Sequence, residues 1–445
     1  MVEAAHRDLL RAWMGLAALA LALAGVMAAL LALSRVPGSH TLFPWPVAFF
    51  ERGLVAHVVF SFVVWLLAAF GLMLALASRS RTRTGFDRIA LVGAAVSFVL
   101  LLIPSLTDRG EPTLNNYIPA ITDPAYYLGL MLLGGALMLP VARFLAGLAR
   151  GTIAPGPVEI VLGSGGVIYA LALAAFVLSA VALSPAAPSH DFNEALFWGG
   201  GHILQFLNVA ILVAAWAALA GEILGEETDS SIFRFAALLL VLGAGVGLGL
   251  DMALGVHHPA RREYFALLQY ALAPAPVLAA GALARRLVPA LVRRPHALRD
   301  PAALALVLSI AVFGVGGLLG LFVDGADTRT PAHYHGVIGG INLALMGVFL
   351  KISLPRAGRA PRGRRILTVQ IWLYGAGQAI ASLGLFWAGG YGAPRKAAGE
   401  AQGLVELGAK LGLYLNGFGA LIAVMGGILF IVTVAGALLR RERSV

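Results

Sequence analysis

The chain has 445 residues, of which 60% are hydrophobic and 12% charged, with a formal net charge of +10 and no cysteine. Water-soluble globular proteins carry roughly 25% charged and about 45–50% apolar residues, so a soluble enzyme is excluded, as is a disordered chain, which needs low hydrophobicity. The lack of cysteine excludes disulfides, thiolate metal sites, thioether-attached haem and cysteine-ligated copper or iron–sulfur centres on this chain.

A hydrocarbon core of ~30 Å takes about 20 apolar residues in a helix. Twelve stretches meet that requirement, at about 12–34, 48–77, 87–106, 124–148, 156–184, 195–221, 231–257, 264–287, 301–323, 333–354, 367–389 and 408–438. Breakers separate them, among them Pro37 with Gly38, Gly110 with Pro112, Pro155, Pro185, Pro295 and Pro361. The first stretch is too long for a signal peptide and lacks a clear cleavage site, so it counts as a span. No internal repeat is evident and no loop is long enough to fold as a soluble domain. Residues 1–445 therefore read as a single all-α transmembrane domain of twelve helices with short loops.

Twelve spans place both termini on one side of the membrane. The loops and termini of that side carry 23 of the 32 Lys and Arg, including Arg79, Arg81, Arg83, Arg294, Arg441 and Arg443. The other side carries nine, including Arg35, Arg261, Arg395 and Lys396. The positive-inside bias puts the first set in the cytoplasm. It predicts a multi-pass protein of a bacterial inner membrane with cytoplasmic termini, its basic charge serving topology and not nucleic-acid binding.

Six of the ten histidines lie in or at the ends of spans, all toward the outer side: His57 in the second, His202 in the sixth, His257 and His258 at the end of the seventh, His333 and His335 at the start of the tenth. Ionisable residues within spans are rare and usually functional, and six imidazoles at one level point to cofactors. Residues i and i+2 on a helix stand about 200° apart, so His333 and His335 face opposite sides and suit two cofactors. His257 and His258, about 100° apart, can converge on one ion with a third ligand such as His202. Three neutral imidazoles with an open position suit copper, or a non-haem iron given a further ligand. The two faces of His333 and His335 suit haems, with His57 as a second axial ligand.

This constellation resembles subunit I of the haem-copper oxidase superfamily, the terminal oxidases and nitric oxide reductases, over nearly the whole chain. The most specific segment is Asp-Thr-Arg-Thr-Pro-Ala-His-Tyr-His at 327–335, similar to the family's His-aromatic-His motif. The resemblance implies that His57 and His335 ligate a low-spin haem, His333 a high-spin haem, and His202, His257 and His258 a second metal, copper or iron. Gly-Ala-Pro-Arg-Lys at 392–396 resembles the family's propionate-binding segment. Arg395 fits it, whereas Lys396 keeps the charge but loses the bidentate fork.

Oxygen-reducing relatives carry a site tyrosine either four residues after the sixth-span histidine or four before the seventh-span pair; here those positions are Phe206 and Ala253. Nitric oxide reduction takes two electrons per turnover and needs no tyrosyl radical, so the reading leans to nitric oxide, with dioxygen as the alternative and a non-enzymatic haem-binding sensor as a further one. Nitric oxide reductases place a glutamate beside the sixth-span histidine, where this chain has Gln205, Phe206 and Asn208. Gln205 is a candidate hydrogen-bond donor, and Asp251, six residues before His257, a candidate for handling protons. Tyr264 and Tyr270 read as interfacial. Glu159, Ser164, Asn342, Gln378 and Ser382 form no evident polar line from the cytoplasm, which suggests protons drawn from the outer side. Without cysteine, electrons must come from a donor subunit, a cytochrome c or a quinol.

Overall fold

The computed structural model describes residues 2–42, 47–78, 85–225, 229–293, 295–323, 325 and 327–440. Arg79, Arg81, Arg83, Arg294, Arg441 and Arg443, which enter the charge count above, lie outside these residues. The described chain is almost wholly helical, with twelve helices long and apolar enough to cross a membrane: α1 Glu3–Arg35, α2 Phe49–Ser78, α3 Gly85–Leu106, α4 Pro124–Ala149, α5 Pro157–Leu183, α6 His190–Leu224, α7 Ser230–Leu254, α8 Arg261–Arg293, α9 Pro301–Phe322, α10 Arg329–Arg356, α11 Arg364–Gly390 and α12 Leu407–Leu439. Helices satisfy every backbone group internally, which a bilayer demands. The protein is a multi-pass membrane protein.

Local chemistry sets several boundaries. Asp123, Ser189, Asp229 and Asp300 each accept a backbone N–H at a helix start, and Pro124 and Pro301 follow two of them. The seventh helix ends earlier than the apolar run suggests. Gly255 takes φ +72°, its N–H bonds to the Asp251 carbonyl, and the helix stops at Leu254. His257 and His258 therefore sit in the following turn, so a helical angle between them does not apply.

In the most apolar stretch of α2, α6 and α10, 83% of residues are buried, against 22–50% in the other helices. The three enclosed helices are those carrying His57, His202 and the His333/His335 pair. Both α2 and α10 contain a π-helical turn, at Val59–Val64 just after His57 and at Phe349–Ser353, an irregularity common at functional sites.

By packing, the helices fall into two compact units. The first comprises Met1–Ala17 and Val63–Arg293, the second Ala18–Phe62 and Arg294–Val445. In the first unit, α5 packs on α6 and α7, and a hairpin of β1 (Pro112–Thr113) and β2 (Ala120–Ile121) pairs Thr113 with Ala120. In the second, α11 lies along α12 with small residues at the seam: a Cβ at Gly377, Gly384, Gly412, Gly419 or Gly426 would run into backbone of the facing helix. Close approach through small residues is how helices associate when lipid supplies no hydrophobic drive.

Candidate functional site

In the second unit, His57 and His333 are held alike. Nδ1 of His57 lies 3.0 Å from the Ala24 carbonyl of α1, and Nδ1 of His333 lies 2.8 Å from the Gly316 carbonyl of α9. A carbonyl only accepts, so each Nδ1 carries the proton and each Nε2 keeps its lone pair. This is the usual support of a metal-ligating imidazole, which donates its other N–H to a carbonyl. Gly320 stands against the His333 ring, where a Cβ would come 2.6 Å from Nδ1. His335 lies two residues on along α10, with His57 and Arg35 close enough to act on its charge. Tyr334 stacks obliquely on His335, with ring centroids 5.6 Å apart.

Several cations, and Asp327 with them, lie around this end of α10. Arg35, the last residue of α1, donates to the Pro394 carbonyl at 3.1 Å and leaves its buried Nε without a partner. Arg35 and Arg395 both bear electrostatically on Tyr334. Residues 391–406, which hold Arg395 and Lys396, are stitched to the start of α10: the Thr328 N–H bonds to the Ala393 carbonyl at 3.0 Å, and Asp327 bridges to Pro394. Asp327 in turn grips the Arg329 guanidinium at 2.7 Å. Lys396 adopts φ +59°, uncommon for a side-chain-bearing residue. The Arg35 guanidinium, with its buried, unsatisfied N–H, suits a carboxylate such as that of a haem. The residues of this unit thus fit haem: two imidazoles with free Nε2 atoms, a third beside one of them, and cations at the rim.

The first unit behaves differently. His202 is 4% exposed and both its nitrogens are taken. Nδ1 lies 2.8 Å from the Trp198 carbonyl one turn back, and Nε2 lies 2.6 Å from the Tyr117 hydroxyl. Because the carbonyl claims the Nδ1 proton, Tyr117 donates to the Nε2 lone pair that a metal would need. The rings of Tyr117, Trp198 and Phe265 surround the imidazole at centroid distances of 4.2, 4.9 and 4.9 Å. His257 and His258 are exposed in their turn, and Nδ1 of His258 accepts the Ala260 N–H at 3.2 Å. Among the described residues no group of three His, Cys, Asp or Glu side chains is arranged to hold a metal ion. The three histidines expected to share an ion are not gathered here, and as they stand they do not fit one.

Tyr117 reaches His202 through a built support. Glu194, near the start of α6, accepts from the Asn116 N–H and from its side-chain amide, both at 2.7 Å, and Asn193 donates to Thr113 at 2.9 Å. Tyr117 is left with φ +64°, a strained backbone that brings its ring down on α6. Gly201 makes room for it, since a Cβ there would be 2.5 Å from that of Tyr117.

Asp251 does not stand free for proton traffic. Its Oδ1 meets the Arg261 Nε at 2.8 Å in a pair whose side chains are 3% and 4% exposed. Arg261 also donates to the Ala195 carbonyl at 3.0 Å and to Ser179 at 3.5 Å, joining α5, α6, α7 and α8. Asp251 Oδ2 is buried without a partner beside Gly199, whose missing Cβ would collide with the carboxylate. Gln205 donates to the Gly201 carbonyl of its own helix at 3.3 Å, and Phe206 is buried against Gly243. Ala253, Tyr264 and Tyr270 are exposed. Sequence reasoning missed Tyr117, Glu194, Arg261 and Arg35. One signal was available for the first three: Gly199, Gly200 and Gly201 run consecutively before His202, and such a run inside a helix marks side chains pressing in.

A family model described as "Cytochrome C and Quinol oxidase polypeptide I" matches residues 8–438. An uncharacterized protein of Rickettsia prowazekii is 26% identical over 96% of this chain and 95% of its own length. An uncharacterized protein of Aquifex aeolicus is 29% identical over 76% of this chain and 81% of its own. Among solved structures, a heme-copper terminal oxidase described as a dimer aligns with a TM-score of 0.80 at 16% identity, covering 99% of this chain and 85% of that one.

Proposed function

The chain belongs to the cytochrome c and quinol oxidase polypeptide I family, and from that premise we propose that it is the catalytic subunit of a respiratory oxidoreductase that reduces a diatomic gas at a haem held by His333. The carrying observation is the shared support of His57 and His333, each with Nδ1 on a backbone carbonyl and Nε2 free. His57 and His335 would hold a low-spin haem as an electron relay, and His333 the haem with an open position. Bound there, the haems supply the one-electron and gas chemistry.

The chain's own residues set the conditions. The Ala24 and Gly316 carbonyls fix the ring planes of His57 and His333 and raise their basicity. Arg35, Arg395 and Lys396 would anchor propionates on the outer side. His202, His257 and His258 remain the proposed ligands of a copper or iron, a role that requires Tyr117 to release Nε2 and the His257–His258 turn to fold inward. The uneven basic charge supports an inner-membrane location with cytoplasmic termini, and electrons would come from a partner subunit, cytochrome c or a quinol.

Nitric oxide is the first substrate proposed, because Phe206 and Ala253 stand where oxygen-reducing relatives have tyrosine. One observation favours dioxygen as a second reading: the Tyr117 hydroxyl on His202 puts a phenol against the sixth-helix histidine from another part of the chain. The test is purification with haem and metal analysis, then turnover with each gas separately. Consumption of one gas settles the substrate. Consumption of neither by haem-replete protein overturns the enzyme reading in favour of a haem-binding sensor.

A further inference from the structure

Nδ1 of His202 rests on the Trp198 carbonyl at 2.8 Å, much as those of His57 and His333 rest on the carbonyls of Ala24 and Gly316. That support orients an imidazole and readies its Nε2 to bind a metal. At His202 a hydroxyl already holds the lone pair, with Tyr117 donating to it at 2.6 Å. The bond satisfies a buried nitrogen that would be costly to leave bare. It also stands where a metal ion would bind.

Tyr117 arrives on the segment 107–123 between α3 and α4. The base of that segment is fastened by its own bonds. Thr113 donates to the Ala120 carbonyl at 2.9 Å and receives the Asn193 amide at 2.9 Å, and the Asn115 amide donates to the Ile118 carbonyl at 2.7 Å. The tip is held to α6 by Glu194, which accepts from the Asn116 N–H and side-chain amide, both at 2.7 Å, and by the Tyr117 hydroxyl on His202. Tyr117 stands at φ +64°, a conformation that a side-chain-bearing residue keeps only where its surroundings hold it. Moving the tip off α6 relieves that strain and so lowers the cost of releasing Nε2. Helix α6 is nonetheless shaped to receive the ring, because a Cβ at Gly201 would come 2.5 Å from that of Tyr117.

We propose that Tyr117 decides whether His202 binds a metal. Its hydroxyl and a metal ion compete for one lone pair, so metal occupancy and the seated position of the Asn116–Tyr117 tip exclude each other. A hydrogen bond that must break before the ion binds weakens that binding about tenfold. The inference rests on the reading of His202 as a metal ligand. The misfit between His202 and an ion is then a competition, set by a residue on another part of the chain.

Equilibrium dialysis of the purified protein in detergent against chelator-buffered zinc chloride tests it, zinc being a redox-inert probe of imidazole sites. Tyr117→Phe should bind one zinc ion about tenfold or more tightly than the parent, and adding His202→Ala should remove that ion. Glu194→Gln keeps the hydroxyl but loosens the tip. It should shift the affinity the same way, and it serves in place of Tyr117→Phe should that variant fold poorly. In the parent, bound zinc should also speed deuterium exchange at the Asn116 N–H, as the tip leaves Glu194. Equal zinc affinity in the parent and both variants, or exchange at Asn116 unaltered by bound zinc, overturns the proposal while His202 stands as a ligand. Zinc bound by none of these proteins, or bound in a way that His202→Ala does not alter, overturns the ligand reading and the competition with it.

Discussion

The Tyr117 hydroxyl donates to Nε2 of His202 across 2.6 Å, although 85 positions separate the two residues. The bond takes the lone pair through which His202 would bind a metal and gives the sixth helix a phenol that neither Phe206 nor Ala253 supplies. Tyr117→Phe leaves that buried nitrogen unsatisfied and should destabilise the protein by about 1–3 kcal/mol. Glu194→Ala, which unclamps the loop bearing Tyr117, should act in the same direction. Thermal unfolding of the detergent-solubilised protein checks both, and a Tyr117→Phe protein as stable as the parent contradicts the hydrogen bond's role.

Asp251 and Arg261 form a buried pair, and removing either partner strands a charge in the interior. Asp251→Ala and Arg261→Ala should each cost about 3–5 kcal/mol, read as lost folded yield and a lower unfolding temperature. Replacing both together with Leu and Met should recover most of that loss, because a well-packed apolar pair often matches a buried ion pair. Gly199→Ala should mimic the single losses, since its methyl would displace the Asp251 carboxylate.

The three histidines of the second unit should separate by spectroscopy. His57→Ala and His335→Ala should each abolish the low-spin haem signal and reduce haem content, while His333→Ala should leave that signal in place. Optical and paramagnetic resonance spectra of the purified variants report this without any assay of turnover.

Arg35 is the cation that sequence reading passed over, because it ends the first span and looks like ordinary flanking charge. Its buried, unpartnered Nε is the observation behind its proposed role as an anion anchor. Arg35→Leu should weaken haem retention during gel filtration, and Arg395→Gln should do so too. Retention equal to the parent in both removes the anchoring role.

The helices were legible because a bilayer reduces the choices: twelve apolar runs gave twelve spans, with boundaries shifted by caps. The largest functional shift came at Gly255, whose positive φ ends α7 and moves His257 and His258 out of the helix. The opposed faces of His333 and His335 followed from helical periodicity alone. Tyr117 and Arg261 were not legible, since each reaches its partner through tertiary packing: Tyr117 from a strained loop, Arg261 from the first turn of the next helix. The polar contact between α10 and α11 was half visible. Asn342, Gln378 and Ser382 stood out as isolated polar residues, but only the placement of α10 against α11 joins Asn342 to Tyr374.

The central claim is that His333 holds a haem with an open position while His57 and His335 close off the other. Carbon monoxide binding to the reduced protein tests it most directly. The reduced protein should give a difference spectrum corresponding to one carbon monoxide per two haems, lost in His333→Ala while the bis-histidine haem signal persists. Two haems that both ignore carbon monoxide, or binding that survives in His333→Ala, would contradict it.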